Sequence, residues 1–219
     1  MEKQVIRVGS VGVGEIWDGV HRPGIAKSPD LELVAICDID EEKLQAVGEK
    51  YGIPPEYRFV DYHDLINCPL VDAVDICTSN DAHFKVAMAA VEAGKPFDLE
   101  KPITLNAQEA DILAAAVQEK GVKNMVCFSY RFKAAARYAR DLILQGKIGQ
   151  VYHVNMQYFQ AWGLPRANCP LVWRYVKSRT GTGALGDLGS HALDLVRFVT
   201  GKEYVRVVGH TGTYVHQRP

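Results

Sequence analysis

Gly12-Val13-Gly14 closes a short β-branched run and opens a helix, and an acid, Asp38, ends the second apolar run. Those residue types at those places suit a dinucleotide. Gly12 permits a tight turn, Gly14 lets the backbone approach a pyrophosphate, and the helix amino terminus offers oriented N–H groups and a partial positive charge. Asp38 sits where a carboxylate accepts hydrogen bonds from both hydroxyls of an adenine ribose. It would repel a 2′-phosphate, and Ile39 brings no compensating cation, so the pattern reads as NAD in preference to NADP. The third glycine of the fingerprint is replaced by Trp17, whose indole is expected to point outward or to push the helix away. The competing reading is a glycine turn in an ordinary α/β protein.

The elements that must position these residues alternate. Val5–Val11, Leu33–Cys37, Ala73–Cys77, Phe97–Leu99 and Met125–Phe128 read as short, near-continuously apolar strands. Between them, Asp40 can cap a helix stopped by Gly52, and Asp61–Cys68 forms a short helix. A further helix runs from about Asp81 to Gly94, and Asn106 with Glu109 opens another that ends near Lys120–Gly121. Strands of this kind alternating with helices mean a parallel sheet covered on both faces, over residues 1–129. From 130 to 219 the pattern changes. A helix, Ala134–Gln145, precedes Val151–Gln160, whose longer alternation predicts an antiparallel strand. Ala161–Thr180 reads as a loop, His191–Thr200 as a helix and Val205–Val215 as a second long strand. Two strands make a marginal sheet, so this second domain is expected to be partial: either truncated or cleaved, or a short form whose sheet is completed by a partner copy.

The bulk properties exclude several classes. The 25 basic and 26 acidic side chains are interspersed, without the basic stripe of a nucleic-acid or anionic-membrane partner. Met1 to Gly14 enters an apolar run directly and carries no leader pattern, and no apolar stretch is long enough to span a bilayer. Cys37, Cys68, Cys77, Cys127 and Cys169 form no C-x-x-C pair and suit a reducing cytoplasm. His63, His83, His153, Asp187 and His191 show no compact ligand spacing, so no metal is expected.

Longer motifs carry a resemblance. Val8 to Trp17, His21-Arg22-Pro23, Ala35 to Asp38, Thr78-Ser79-Asn80-Asp81-Ala82-His83, Ala93-Gly94-Lys95-Pro96, Glu100-Lys101-Pro102 and Gly181 to His191 resemble, in order, the glucose–fructose oxidoreductase/inositol dehydrogenase/rhizopine-catabolism (Gfo/Idh/MocA) family. The resemblance implies a Rossmann-type doubly wound sheet followed by a partial α+β domain with a mainly antiparallel open sheet. It implies NAD-dependent hydride transfer to or from a sugar, polyol or cyclic alcohol. It also implies a catalytic set of Lys101, Asp187 and His191: His191 as general base, Lys101 stabilising developing charge on the substrate oxygen, and Asp187 anchoring a hydroxyl or orienting the other two. Glu15, Ile16, Thr78, Asn80, His83, Glu100 and Lys101 join Gly12, Gly14 and Asp38 as expected cofactor contacts, with a cis peptide before Pro102. Trp162, Trp173 and Arg174 are expected on the substrate wall. An NAD-dependent glycosidase and a non-catalytic dinucleotide-binding regulator are the alternatives. Each residue also has a plainer reading: Asp187 as a helix cap, His191 as a half-buried packing residue, Lys101 as a solvated charge.

Overall fold

The computed structural model describes residues 5–219, which divide into two compact units, one ending at Cys127 and one running from Phe128 to Pro219. The leader reading at Met1 to Gly14 falls partly on residues 1–4, outside the described residues.

In the first unit six short apolar segments pair side by side: β1 (Ile6–Val11), β2 (Leu31–Cys37), β3 (Arg58–Phe59), β4 (Ala73–Ile76), β5 (Phe97–Leu99) and β6 (Asn124–Val126). All pairs are parallel, in the order β3-β2-β1-β4-β5-β6. Parallel neighbours need crossovers, and these contain α1 (Arg22–Lys27), α2 (Glu41–Tyr51), α3 (Tyr62–Asn67), α4 (Asn80–Glu92) and α5 (Ala107–Lys120). Side chains that alternate along a strand enter two cores: Ala35 and Cys37 join Leu65, Val74, Ile76, Val86 and Leu113, whereas Ile36 joins Val13, Trp17, Leu44 and Ile53. The sheet is therefore covered on both faces. Its strand order reverses between β1 and β4, where a doubly wound sheet opens a crevice at its carboxyl edge.

Local chemistry sets the helix ends. The Asp40 carboxylate accepts from the Lys43 N–H at 3.1 Å and the Asn106 side chain from the Glu109 N–H at 2.9 Å, as their spacing predicts. Glu109 reaches back to the Leu105 N–H, one residue short of a true capping box.

Trp17 departs from expectation. The indole does not point outward: it is wholly buried, edge-on to Tyr51 with ring centroids 5.8 Å apart. The chain accommodates it by winding Trp17–His21 as a π turn that runs on into α1.

The second unit contains α6 (Ala134–Leu144), α7 (Lys177–Thr180) and α8 (Ser190–Thr200), with α6 packed on α8 and Arg140 donating to the Phe198 carbonyl. Its antiparallel sheet is a second departure. Neither Val151–Gln160 nor Val205–Val215 forms a strand, and among the described residues every strand belongs to the first unit. A ladder needs a neighbour's N–H and C=O groups, and alternation alone cannot supply one. Tyr152, Phe159, Val205, Val208 and Tyr214 accordingly stay at least 84% exposed.

Candidate active site

The carboxyl edge at the β1–β4 reversal is built by Gly12. Its φ is +90°, and a Cβ there would lie 2.6 Å from the Cys77 carbonyl oxygen and 2.8 Å from the Thr78 nitrogen. Only glycine lets these two chain segments cross so closely. Gly14 is the complement: a Cβ there would meet nothing within 4 Å, which leaves its face open for a ligand to approach. Glu15 and Ile16 follow as exposed residues that open the helical stretch.

Asp38 is buried and already engaged. One oxygen accepts from the Val13 N–H at 3.0 Å and meets the Lys43 ammonium at 2.8 Å, and the other accepts from the Asp40 N–H at 3.0 Å. The sequence reading looked for a cation only at Ile39. The first turn of α2 instead brings one back from Lys43, which partly neutralises the acid. The residues thus suit a dinucleotide: a glycine cradle, an open Gly14 face and an acid at the ribose end, with a lysine beside it.

At the ends of β4 and β5 a polar cluster interrupts the apolar strands. Ser10, Asp75 and Asp98 sit opposite one another in register on β1, β4 and β5. Ser10 Oγ donates to Asp75 at 2.7 Å. The π turn delivers His21 onto this row, with Nδ1 2.7 Å from Asp75 Oδ1 and 3.8 Å from Asp98 Oδ2, and Nε2 3.1 Å from Glu100 Oε1. Burial opposes charge on His21, but hydrogen bonds to Asp75, Cys77 and Glu100 outweigh it and hold the imidazole protonated far above the ordinary histidine range. Burial and the Asp75 charge push Asp98 up to about 7. Burial and Asp98 also raise the Cys127 thiol, which donates to Asp98 Oδ2 at 3.3 Å. His21, Asp98 and Cys127 each bring a ligand-type atom within 4.8 Å of the others, although both imidazole nitrogens already face carboxylates.

This cluster has a pH signature. An acid with a raised native pKa binds its proton more tightly folded than unfolded, so Asp98 removes stability as pH rises from 3.8 to about 7. His21, also raised, contributes stability that is complete below 6.5 and is lost as pH climbs toward its native value. Both slopes have the same sign. His83, held below its ordinary value by burial, opposes them up to 6.5, so the unfolding midpoint of the first unit should fall between about pH 6.5 and about pH 8, read by thermal denaturation. A midpoint that rises over that interval would contradict the assignment.

Glu100 leads into Lys101, whose N–H donates to Glu100 Oε2 at 3.0 Å, and the Lys101–Pro102 bond is cis. His83 is almost fully buried, with Nδ1 2.7 Å from the Pro102 carbonyl and Nε2 3.2 Å from the Thr78 carbonyl. Both of its nitrogens thus face backbone, which makes it a clamp between two loops where the sequence reading had a cofactor contact. Thr78 is partly exposed beyond β4, and Asn80 is buried at the start of α4.

In the second unit, Leu185–Gly189 winds as a π turn directly into α8. Asp187 lies inside that turn, and Gly189, in helical conformation, takes the position before α8, so capping is not the role of Asp187. His191 is buried on the first turn of α8. It stacks on Tyr130 with centroids 4.4 Å apart and planes 20° apart, and meets Phe128 edge-on at 6.1 Å. Arg131 grips the buried Asp194 through two bonds, one of 2.8 Å, tying the Tyr130 segment to α8. The Tyr158 hydroxyl bond, then burial and the Asp187 charge, raise Tyr130 to about 12, and Asp187 acts on Tyr175 as well. Trp162 packs on Tyr175 at 5.1 Å, Arg218 lies 3.7 Å over the Tyr175 ring, and Arg174 covers Trp173 at 4.5 Å. Aromatic faces and guanidinium groups therefore gather around Tyr175, which feels the Asp187 charge.

Sequence reasoning missed Lys43, Tyr130 and the role of His21. Only His21 left a trace: acids at Asp75 and Asp98, inside buried strands, require a charged or hydrogen-bonding partner.

Two family models match the chain: residues 6–128 match "Oxidoreductase family, NAD-binding Rossmann fold" and residues 136–219 match "GFO/IDH/MocA C-terminal domain". Levoglucosan dehydrogenase of Pseudarthrobacter phenanthrenivorans is 34% identical over 84% of this chain and 46% of its own length. Myo-inositol 2-dehydrogenase of Thermotoga maritima is 28% identical over 92% of this chain and 57% of its own. A solved levoglucosan dehydrogenase in complex with NADH superposes with a TM-score of 0.82 at 31% identity, covering 91% of this chain and 55% of that one. The chain spans about half the length of the curated relatives it matches.

Proposed function

The chain belongs to the Gfo/Idh/MocA oxidoreductase family, and from that premise we propose that it serves an NAD-dependent dehydrogenase acting on a secondary hydroxyl of a sugar, polyol or cyclic alcohol. The observation that carries the reading is the shared sheet edge. Gly12 crosses the end of β4 at the strand-order reversal, and Lys101 follows β5, the next strand along. Bound there, NAD would supply the hydride acceptor. Gly12, the open Gly14 face and Glu15–Ile16 at the start of the helical stretch would hold its pyrophosphate, and Asp38 its ribose. Lys101 would lower the pKa of the substrate hydroxyl, and His191 would accept its proton. Asp187, among Tyr130 and Tyr175, would anchor a neighbouring hydroxyl. Trp162, Trp173 and Arg174 are the proposed substrate wall. Incubation with NAD and a panel of polyols and sugars, read by reduced-nicotinamide absorbance, tests the reading, and net turnover without NADH would favour a glycosidase.

The division of residues 1–129 and 130–219 into cofactor and substrate domains, and association of copies through the second, belong to the same proposal. The exposed Val205, Val208 and Tyr214 support the association. The five free cysteines support a cytoplasmic site, and no described helix is long and apolar enough to cross a membrane.

Cofactor choice follows from Asp38. NAD should bind more tightly than NADP. Asp38→Ala should weaken NAD by on the order of 1.5–3 kcal/mol while improving NADP, because Lys43 is then free to meet the 2′-phosphate. Calorimetric titration of both cofactors checks this, and equal affinities in the unmodified protein would refute it.

A further inference from the structure

We propose that His21 is a positioning residue for Lys101, acting through Glu100. A continuous line of hydrogen bonds joins the sheet interior to the corner after β5: Ser10 Oγ to Asp75, Asp75 to His21 Nδ1, His21 Nε2 to Glu100 Oε1, and Glu100 Oε2 to the Lys101 N–H. A neutral imidazole carries a single N–H, so only the imidazolium can donate to both carboxylates. The charge on His21 is thus what fixes the Glu100 carboxylate, and Glu100 fixes the backbone from which the Lys101 side chain departs. His83 holds the other side of the corner at the Pro102 carbonyl.

Packing alone does not call for this arrangement. Apolar side chains of similar volume often stabilise a fold as well as buried ion pairs do. What the cluster adds is a fixed direction at Glu100. The groups facing His21 are Asp75 on β4, Asp98 and Glu100 on and just after β5, and the thiols of Cys77 and Cys127. The carboxylates favour its charged form.

The inference rests on Lys101 acting beside the reacting oxygen, and the test separates the two ideas. Turnover and NAD affinity are measured for His21→Gln, Glu100→Gln, the double variant and Lys101→Ala. Each single amide variant should lower kcat by at least about tenfold, His21→Gln with NAD affinity within about threefold, and the double variant should be no worse than the poorer single. Losses that multiply in the double variant, or an unchanged kcat, would overturn the positioning role. If Lys101→Ala keeps its turnover, the assignment of Lys101 itself fails. Nitrogen NMR of the unmodified protein needs neither activity nor a stable variant: both His21 ring nitrogens should stay protonated well above the ordinary histidine range, and a midpoint near 6.5 would overturn the proposal. In Glu100→Gln that titration should move down, and an unmoved titration would show that Glu100 is not the link.

Discussion

His191→Ala should lower turnover by about 10²–10⁴-fold while leaving NAD affinity nearly unchanged, the contribution expected of a positioned base. The residue is held for such a role. Its ring lies flat on Tyr130 and edge-on to Phe128, and Arg131 bonded to Asp194 ties the segment carrying these aromatics to α8. The π turn Leu185–Gly189 immediately precedes it, and such turns recur at functional sites. Alanine would remove ring contacts as well as the base, so His191→Asn serves as a control that keeps a polar group of similar size. Steady-state kinetics of both variants, with circular dichroism to confirm folding, decide the matter. Loss of less than about tenfold in a folded variant would remove His191 from the chemistry.

Trp17→Ala should destabilise the first unit by about 3–5 kcal/mol, the range for truncating a large aromatic in a core. The indole is fully buried among Val13, Ile36, Leu44, Ile53 and Cys77. It occupies the place where the dinucleotide fingerprint has a glycine, so glycine substitution should not restore a conventional site. It should leave the same cavity and add backbone freedom to the turn that carries His21. Urea denaturation of the two variants measures the effect. A loss below about 1 kcal/mol would show that the turn collapses onto the space and that the indole is dispensable.

Sequence reached furthest where a residue's effect is local. Asp40 and Asn106 cap their helices and Gly52 and Gly121 end them in the left-handed region, each governed by residues a few positions away. The apolar strands and their parallel pairing were legible for the same reason, but β3, only two residues long, carries no period to detect. Both π turns were illegible, because their i→i+5 bonds leave no distinct spacing of apolar residues. Trp17 was misjudged on that account. The alternation in Val151–Gln160 was real, yet a strand also depends on a neighbour, which the alternation does not specify. For the proposed site, Gly12, Gly14 and Asp38 could be put forward from their types and order, and Lys101, Asp187 and His191 only through the family resemblance. Lys43 and Tyr130 come to Asp38 and His191 through a helix turn and a ring stack, neither of which their identities announce.

The central claim is that hydride passes to NAD at this site from the carbon that bears the substrate hydroxyl, while the hydroxyl gives up its proton. Its most direct test uses polyols and sugars deuterated at the carbinol carbons, incubated with the protein and NAD, with the nicotinamide analysed by mass spectrometry. The account predicts deuterium in the reduced nicotinamide for at least one substrate, and none when Lys101 is replaced by alanine. Bound NAD that gains no deuterium while a substrate is converted would contradict it.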